Sequence, residues 1–300
     1  MYRITTGILL LFLLITACSN EEPSSNNPPT SKEISTQEGT RNINILITKD
    51  EEITFEIINK VNASHEKLDQ FKKDIVRAYK VITESIQTDY EPADKITIHL
   101  LNGNEASSGF RYDIRLYSNF GSDFQLVHEL THTLLGYGDN FDTSNGYLTQ
   151  EGFAIYMENK YGKKVTPVHT FMRYFIDHNK NIPLQKLIDK KYDHSLFRPL
   201  LAETEDYVVQ HISYIHAGSF VTYLIDTYGL DKFERLYNKS EPENRLTEIY
   251  GMTTVELENE WIQYIKKNIT FTSDDRLELD SFYIINSEID SIDPEIFEKA

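Results

Sequence analysis

Residues 127 to 137 of the chain read VHELTHTLLGY. His128 and His132 lie four apart, so on a helix both imidazoles project from one face at adjacent turns and can share one tetrahedral metal ion. Glu129, about 100° around the helix from His128, reaches a water on such an ion without taking a ligand position. Metal-assisted hydrolysis needs this arrangement. Zinc lowers the pKa of its water toward about 7, and a neighbouring carboxylate takes the proton during attack on a carbonyl and returns it to the leaving amine. The expected cofactor is therefore Zn2+, with Glu129 as general base. Eighteen residues separate His132 from Glu151, which stands in the run QEGFA and supplies a third ligand. A carboxylate in the first turn of a helix favours its ionised form, and Gly152 is expected to let that turn approach the site closely.

These residues need elements to carry them. Alternating apolar residues at Asn44 to Thr48 and Ile53 to Ile58 predict two strands joined by a turn at Asp50 and Glu51. From Ser64 the period changes: Leu68, Phe71, Ile75, Tyr79, Ile82 and Ile86 recur every three or four residues, an amphipathic helix of about six turns that must lie on a sheet. Lys95 to Leu101 and Tyr112 to Tyr117 read as further strands, separated by a polar loop from Asn102 to Gly109. After Ser122 the pattern turns helical. Ser122 and Gln125 have capping-box spacing ahead of the histidine helix, and further helices are expected at 149–161, 167–178, 183–190, 211–228 and 253–268. Thr253 and Glu256 form a second capping box. The fold class is α+β, a small N-terminal sheet with one long helix followed by a mostly helical C-terminal half.

The stretch HELTH, eighteen residues, then EGFA resembles the gluzincin metallopeptidases, in particular the catalytic domain of aminopeptidase N and leukotriene A4 hydrolase and the compact peptidase MA-like domains. The resemblance covers residues 120 to 160 closely and about 95 to 268 more loosely. It implies a thermolysin-like zincin fold, zinc on His128, His132 and Glu151, and Glu129 as the base. In such enzymes a tyrosine some sixty residues after the third ligand donates to the oxyanion. Tyr214 has that separation, with Tyr207, His211 and His216 as competing donors in the same region. By the same resemblance Lys95 to Leu101 is the edge strand that pairs with substrate backbone, and Glu256 to Tyr264 is the closing helix. The glycine-rich MEN motif of the aminopeptidases has no counterpart: the nearest stretch is Gly103 to Gly109, with Glu105 in a different context. Aminopeptidase activity is not implied.

Location follows from the N-terminus. Arg3 precedes an apolar run from Ile8 to Ile15, too short to span about 30 Å of hydrocarbon and so a signal peptide in residues 1–17. The order Ile15, Thr16, Ala17, Cys18 resembles the bacterial lipoprotein box, in which the cysteine is acylated; Cys18 is the chain's single cysteine, which rules out an intrachain disulfide and a cysteine-built zinc knuckle. Residues 19–40 contain one aliphatic residue, Ile34, and three of nine prolines, the composition of an unfolded tether. The expected organisation is a lipidated Cys18 and tether over 18–40, a peptidase domain over 41–269 and an acidic extension over 270–300 with a strand at Leu277 to Ile285. The protein is then held by lipid at the outer face of the cell membrane.

Composition bounds the partners. Thirty Lys and Arg against 47 Asp and Glu give a net charge of −17, which repels a phosphate backbone and excludes nucleic acid as an expected partner. The same surplus favours basic or neutral peptides. Two functions remain: an anchored zinc peptidase, and a binding lipoprotein on the same scaffold that holds a peptide or cell-wall component without cutting it. Glu129 separates them, since only the enzyme needs a base there. Oligomeric state has no signal in the sequence.

Overall fold

The structure, a computed structural model, describes residues 43–48, 52–118, 125–137, 147–200, 204–275 and 289–298. The chain divides into two compact units, Met1–Thr40 and Arg41–Ala300, and all the described residues belong to the second. Cys18, the tether, Ser122 and the strand expected at Leu277 to Ile285 lie outside the described residues.

Five strands form one mixed sheet in the order β1-β2-β3-β5-β4. β1 (Ile43–Ile47) and β2 (Thr54–Asn59) are the two expected strands and pair antiparallel; the turn expected at Asp50 and Glu51 lies outside the described residues. α1 (His65–Thr83) then crosses to β3 (Lys95–Asn102), which runs parallel to β2, and β5 (Asp113–Ser118) runs parallel to β3. Ser64 caps α1 by accepting from the Lys67 amide at 3.3 Å, and the helix is five turns long instead of six. The stripe Leu68, Phe71, Ile75, Ile82 is buried, and against it lie the alternate residues Phe55 and Ile57 of β2, Ile96, Ile98 and Leu100 of β3, and Ile114 and Leu116 of β5 in one apolar core.

Two expectations about the sheet are corrected. β3 is not an edge: β2 and β5 pair with it on both sides, so its backbone has no free row for another chain. The edge next to the helical half is β4 (Ser108–Gly109), a two-residue strand antiparallel to β5 inside the stretch expected to be a loop. Two residues carry no periodicity, so the pattern could not reveal it.

The helical half runs α2 (Leu126–Leu135), α3 (Leu148–Tyr161), α4 (Val168–Asp177), α5 (Leu184–Ile188), α6 (Asp193–Leu196), α7 (Thr204–Tyr228), α8 (Leu230–Glu234), α9 (Pro242–Tyr250) and α10 (Thr254–Asn268). α7 starts seven residues earlier than expected and was not foreseen there because TEDYVVQ has no helical stripe; α6, α8 and α9 are additional. The capping box of α10 is present, with Glu256 accepting from the Thr253 amide at 2.8 Å and Thr253 from the Glu256 amide at 3.3 Å. α7 is the central pillar. α3 lies close along it because each helix turns a glycine to the other: a Cβ on Gly152 would sit 2.4 Å from Val221 Cγ2 and 2.6 Å from the Ala217 carbonyl oxygen, and one on Gly218 would sit 2.7 Å from Ile155 Cγ2. Gly152 therefore serves the α3–α7 contact and not, as expected, an approach to the histidines. Among the described residues no helix is long and apolar enough to cross a membrane.

Candidate metal centre

All ten residues of α2 are buried. A helix sunk on every side must satisfy its own polar groups, and Thr131 and Thr133 do so by donating to the carbonyls of Val127 at 2.7 Å and Glu129 at 2.9 Å. Gln125 stands at the N-cap, not at the third helical position that a box with Ser122 required, and its side chain makes no capping bond. The cap comes from elsewhere. Glu158 of α3 accepts the His128 amide at 3.0 Å through Oε2, while its Oε1 accepts the amides of Lys163 and Lys164, each at 3.2 Å. One buried carboxylate thus joins the start of α2 to the turn after α3 and sets the two helices in register. The start of α3 is pinned in its turn: Thr149 Oγ1 accepts the Asn238 amide at 3.0 Å, and Gln150 donates to Asn238 Oδ1 at 2.7 Å.

On this frame His128, His132 and Glu151 come together. His128 Nε2 and His132 Nε2 are 3.2 Å apart, and Glu151 Oε2 lies 3.5 Å from the first and 3.4 Å from the second. The three atoms make a nearly equilateral triangle. A tetrahedral ion with bonds of about 2.0–2.1 Å spaces its ligands about 3.3–3.4 Å apart, so the triangle has the dimensions of one face of such a coordination sphere. Glu151 Oε2 is buried without a hydrogen-bond partner, an arrangement that costs free energy unless a cation sits against it. Two imidazoles and a carboxylate suit zinc and other divalent first-row ions alike. The residues fit a metal; they do not by themselves select zinc.

The free lone pair on Oε2 is kept free by what happens at Oε1. Tyr137 donates its hydroxyl to Glu151 Oε1 at 2.6 Å, and Arg198 Nη1 donates to the Tyr137 hydroxyl oxygen at 2.6 Å. The tyrosine ring also stands against His132, with centroids 4.3 Å apart. A chain of two short hydrogen bonds therefore runs from the loop after α6, through Tyr137 beyond α2, to the Glu151 carboxylate on α3.

Electrostatics point the same way. Burial works to raise the Glu151 carboxyl, and the close imidazoles of His132 and His128 outweigh it, holding the group well below the usual carboxylate range. Burial pushes His132 down, toward the neutral ring a metal requires. Burial pulls His128 down as well, but Glu151, Glu129 and Glu158 around it prevail and push it up. Three buried carboxylates thus create a demand for positive charge at this point. Glu129 is 5% exposed, and burial raises its carboxyl to about 7, against the lowering effect of His128 and of the Gly109 amide bonded to it. That amide belongs to β4. A Cβ on Gly109 would sit 2.1 Å from the Glu129 carbonyl oxygen, so only glycine lets the edge strand come this close to α2.

Of the oxyanion candidates, Tyr214 is on α7, half-buried, its ring 6.2 Å from that of Phe197. Burial and then the charge of Glu151 hold its hydroxyl well above the usual range, which places it beside the ligand set. His216 is spent in the core, with Nδ1 against the Ile212 carbonyl at 2.7 Å and Nε2 accepting the Ile182 amide at 3.0 Å. His211 is exposed and turns Nδ1 to the Tyr207 carbonyl at 2.7 Å. Tyr207 is half-buried, with its carbonyl so engaged.

Sequence reasoning missed Tyr137, Arg198, Glu158 and Gly109. Glu158 had a signal: it is seven residues from Glu151, two turns along one face of α3. Arg198 had none. No protein-family model matches the chain, and no curated protein matches it either.

Proposed function

We propose that the protein is a zinc metallopeptidase of gluzincin type on a thermolysin-like scaffold, anchored through acylated Cys18 outside the cell membrane. The observation that carries the reading is the triangle of His128 Nε2, His132 Nε2 and Glu151 Oε2, with edges of 3.2, 3.4 and 3.5 Å and one orphaned carboxylate oxygen. His128, His132 and Glu151 would hold the ion. A bound zinc supplies a Lewis acid that polarises a carbonyl and lowers the pKa of water toward about 7. Glu129, next to His128 and outside the triangle, takes the proton of the attacking water and returns it to the leaving amine; the Gly109 amide keeps its carboxylate oriented. Tyr214 donates its hydroxyl to the oxyanion, a role its retained proton suits. Polypeptide is the substrate class favoured by the resemblance. With β3 enclosed in the sheet, the edge strand beside α2 is β4, whose Gly109 amide Glu129 already takes.

The test compares the purified protein with Glu129→Gln for bound metal and for cleavage of a peptide library. Metal in both with cleavage only in the parent is the expected result. Equal cleavage by both removes Glu129 as the base, and metal without cleavage in the parent leaves a binding protein on the same scaffold.

A further inference from the structure

Arg198 differs from the other cations in its surroundings. Its side chain has five N–H donors, of which, among the described residues, one is engaged, Nη1 to the Tyr137 hydroxyl at 2.6 Å. No carboxylate among the described residues forms an ion pair with it, in a chain where acids outnumber bases 47 to 30. The residue is nevertheless exposed, with a charge that reaches the metal site: His132, Glu151 and Tyr214 all feel it.

The guanidinium is also held still. Its carbon lies 5.1 Å from the centre of the Tyr137 ring and 5.5 Å from that of Tyr147, two aromatic faces that fix its plane. The backbone beneath it is tied on both sides, by the Arg198 amide to the Asp193 carbonyl at 2.9 Å and by Gln210 of α7 to the Phe197 carbonyl at 2.9 Å, and Pro199 restricts it further. A pre-ordered arginine whose other donors no described residue takes, two hydrogen bonds from Glu151, is built to receive an anion, because the ordering cost of binding has been met in advance.

We infer that Arg198 is the substrate-carboxylate anchor of the site, so that the preferred peptides carry a free C-terminal carboxylate or an acidic side chain next to the bond held at the metal. This rests on the peptidase reading and runs against the preference for basic or neutral peptides expected from net charge. The difference is one of range. At about 0.15 M salt the diffuse surface charge is screened beyond about 8 Å, whereas a bidentate contact acts at hydrogen-bond distance.

The test is binding, read by fluorescence anisotropy, of one labelled hexapeptide in three forms: free C-terminal carboxylate, C-terminal amide, and amide with one glutamine changed to glutamate. Glu129→Gln protein is used to prevent turnover, with zinc supplied and again with EDTA. The expected result is that one or both acidic forms bind about ten- to hundredfold more tightly than the neutral amide, the scale of a charge-assisted contact. The advantage disappears in Arg198→Gln and survives in part in Arg198→Lys. Which acidic form holds it distinguishes a chain terminus from a side chain. Equal binding of all three forms, no measurable binding of any, or an advantage that persists in Arg198→Gln would overturn the inference. Should Arg198→Gln not fold, the comparison of the three forms on the parent background decides. Metal content is measured on the same samples: a chain that holds no metal sinks the peptidase reading, while the preference among the peptides answers for Arg198 alone.

Discussion

Glu151 presents its two oxygens to different partners, and that division of labour is the centre's most specific feature. Oε1 is taken by Tyr137 and Oε2 faces two imidazole nitrogens, so the carboxylate has one oxygen left to offer an ion. Tyr137→Phe keeps the ring against His132 but deletes the hydroxyl that both orients Glu151 and accepts from Arg198. Residues that orient metal ligands typically cost 10–100-fold in affinity when lost, so zinc binding by Tyr137→Phe is expected to weaken by about that factor in competition with a chromophoric chelator, with the far-ultraviolet circular dichroism unchanged. An affinity within about threefold of the parent would mean that the packing of α3 alone aims the carboxylate. The gathering of His128, His132 and Glu151 was legible in the sequence, the histidines through their spacing of four on one helix and Glu151 through its eighteen-residue separation from them. The relay was not. Tyr137 stood in the quoted motif with no periodic role, and Arg198 reaches the site from a loop sixty-one residues away, a pairing created only by the tertiary fold.

At the scale of elements, the site depends on two helices meeting at a fixed angle, and Glu158 is the joint. Its carboxylate accepts three amides, those of His128, Lys163 and Lys164, and it is 3% exposed. Glu158→Ala strands the His128 amide in the interior, at a cost of about 1–3 kcal/mol, while the amides of the exposed Lys163 and Lys164 recover water. The denaturant midpoint should fall without a change of slope, and Glu158→Gln, which keeps an acceptor but not the charge, should lose less. If both variants unfold with the parent, α2 is capped by something other than this carboxylate. Long elements were readable and short ones were not, for the same physical reason. The stripe of α1 and the capping box of α10 are local, whereas β4 exists because Gly109 can lie against Glu129, and α2 is buried on all sides and so shows no polar face to mark its limits. The early start of α7 belongs to the same class, since Val208 and Val209 are adjacent, both buried, and form no helical stripe.

For the whole molecule, two equilibria are linked to folding. The first is metal: an ion that binds the native triangle and not the unfolded chain stabilises by about 2.7 kcal/mol at a hundredfold excess over Kd, so zinc should raise and EDTA lower the melting temperature, by about 2–4 °C for each kcal/mol in a unit of this size. Zinc without effect on melting would count against a native-state site. The second is protons, and it is carried by His216, which is fully buried on α7 between Phe175 and Trp261. Burial lowers its pKa to about 4, partly offset by the bond to Ile212, and no charged side chain is among the causes. The neutral tautomer is dictated by its partners, Nδ1–H toward the Ile212 carbonyl and a bare Nε2 toward the Ile182 amide, so a second proton would remove an acceptor that α7 uses to hold the start of the α5 region. The unfolded chain takes up that proton near pH 6.5 and the folded chain only near pH 4, so stability is full above pH 6.5 and declines as pH falls toward 4. The interval of about 2.5 pH units corresponds to about 3 kcal/mol. His216→Gln should be less stable at pH 7.5, where it gives up the ring's packing, and its urea midpoint should depend less on pH between 6.5 and 4 than the parent's. Parallel pH profiles for the two proteins would show that the acid sensitivity lies elsewhere, beginning with His169, whose pKa burial also lowers to about 4.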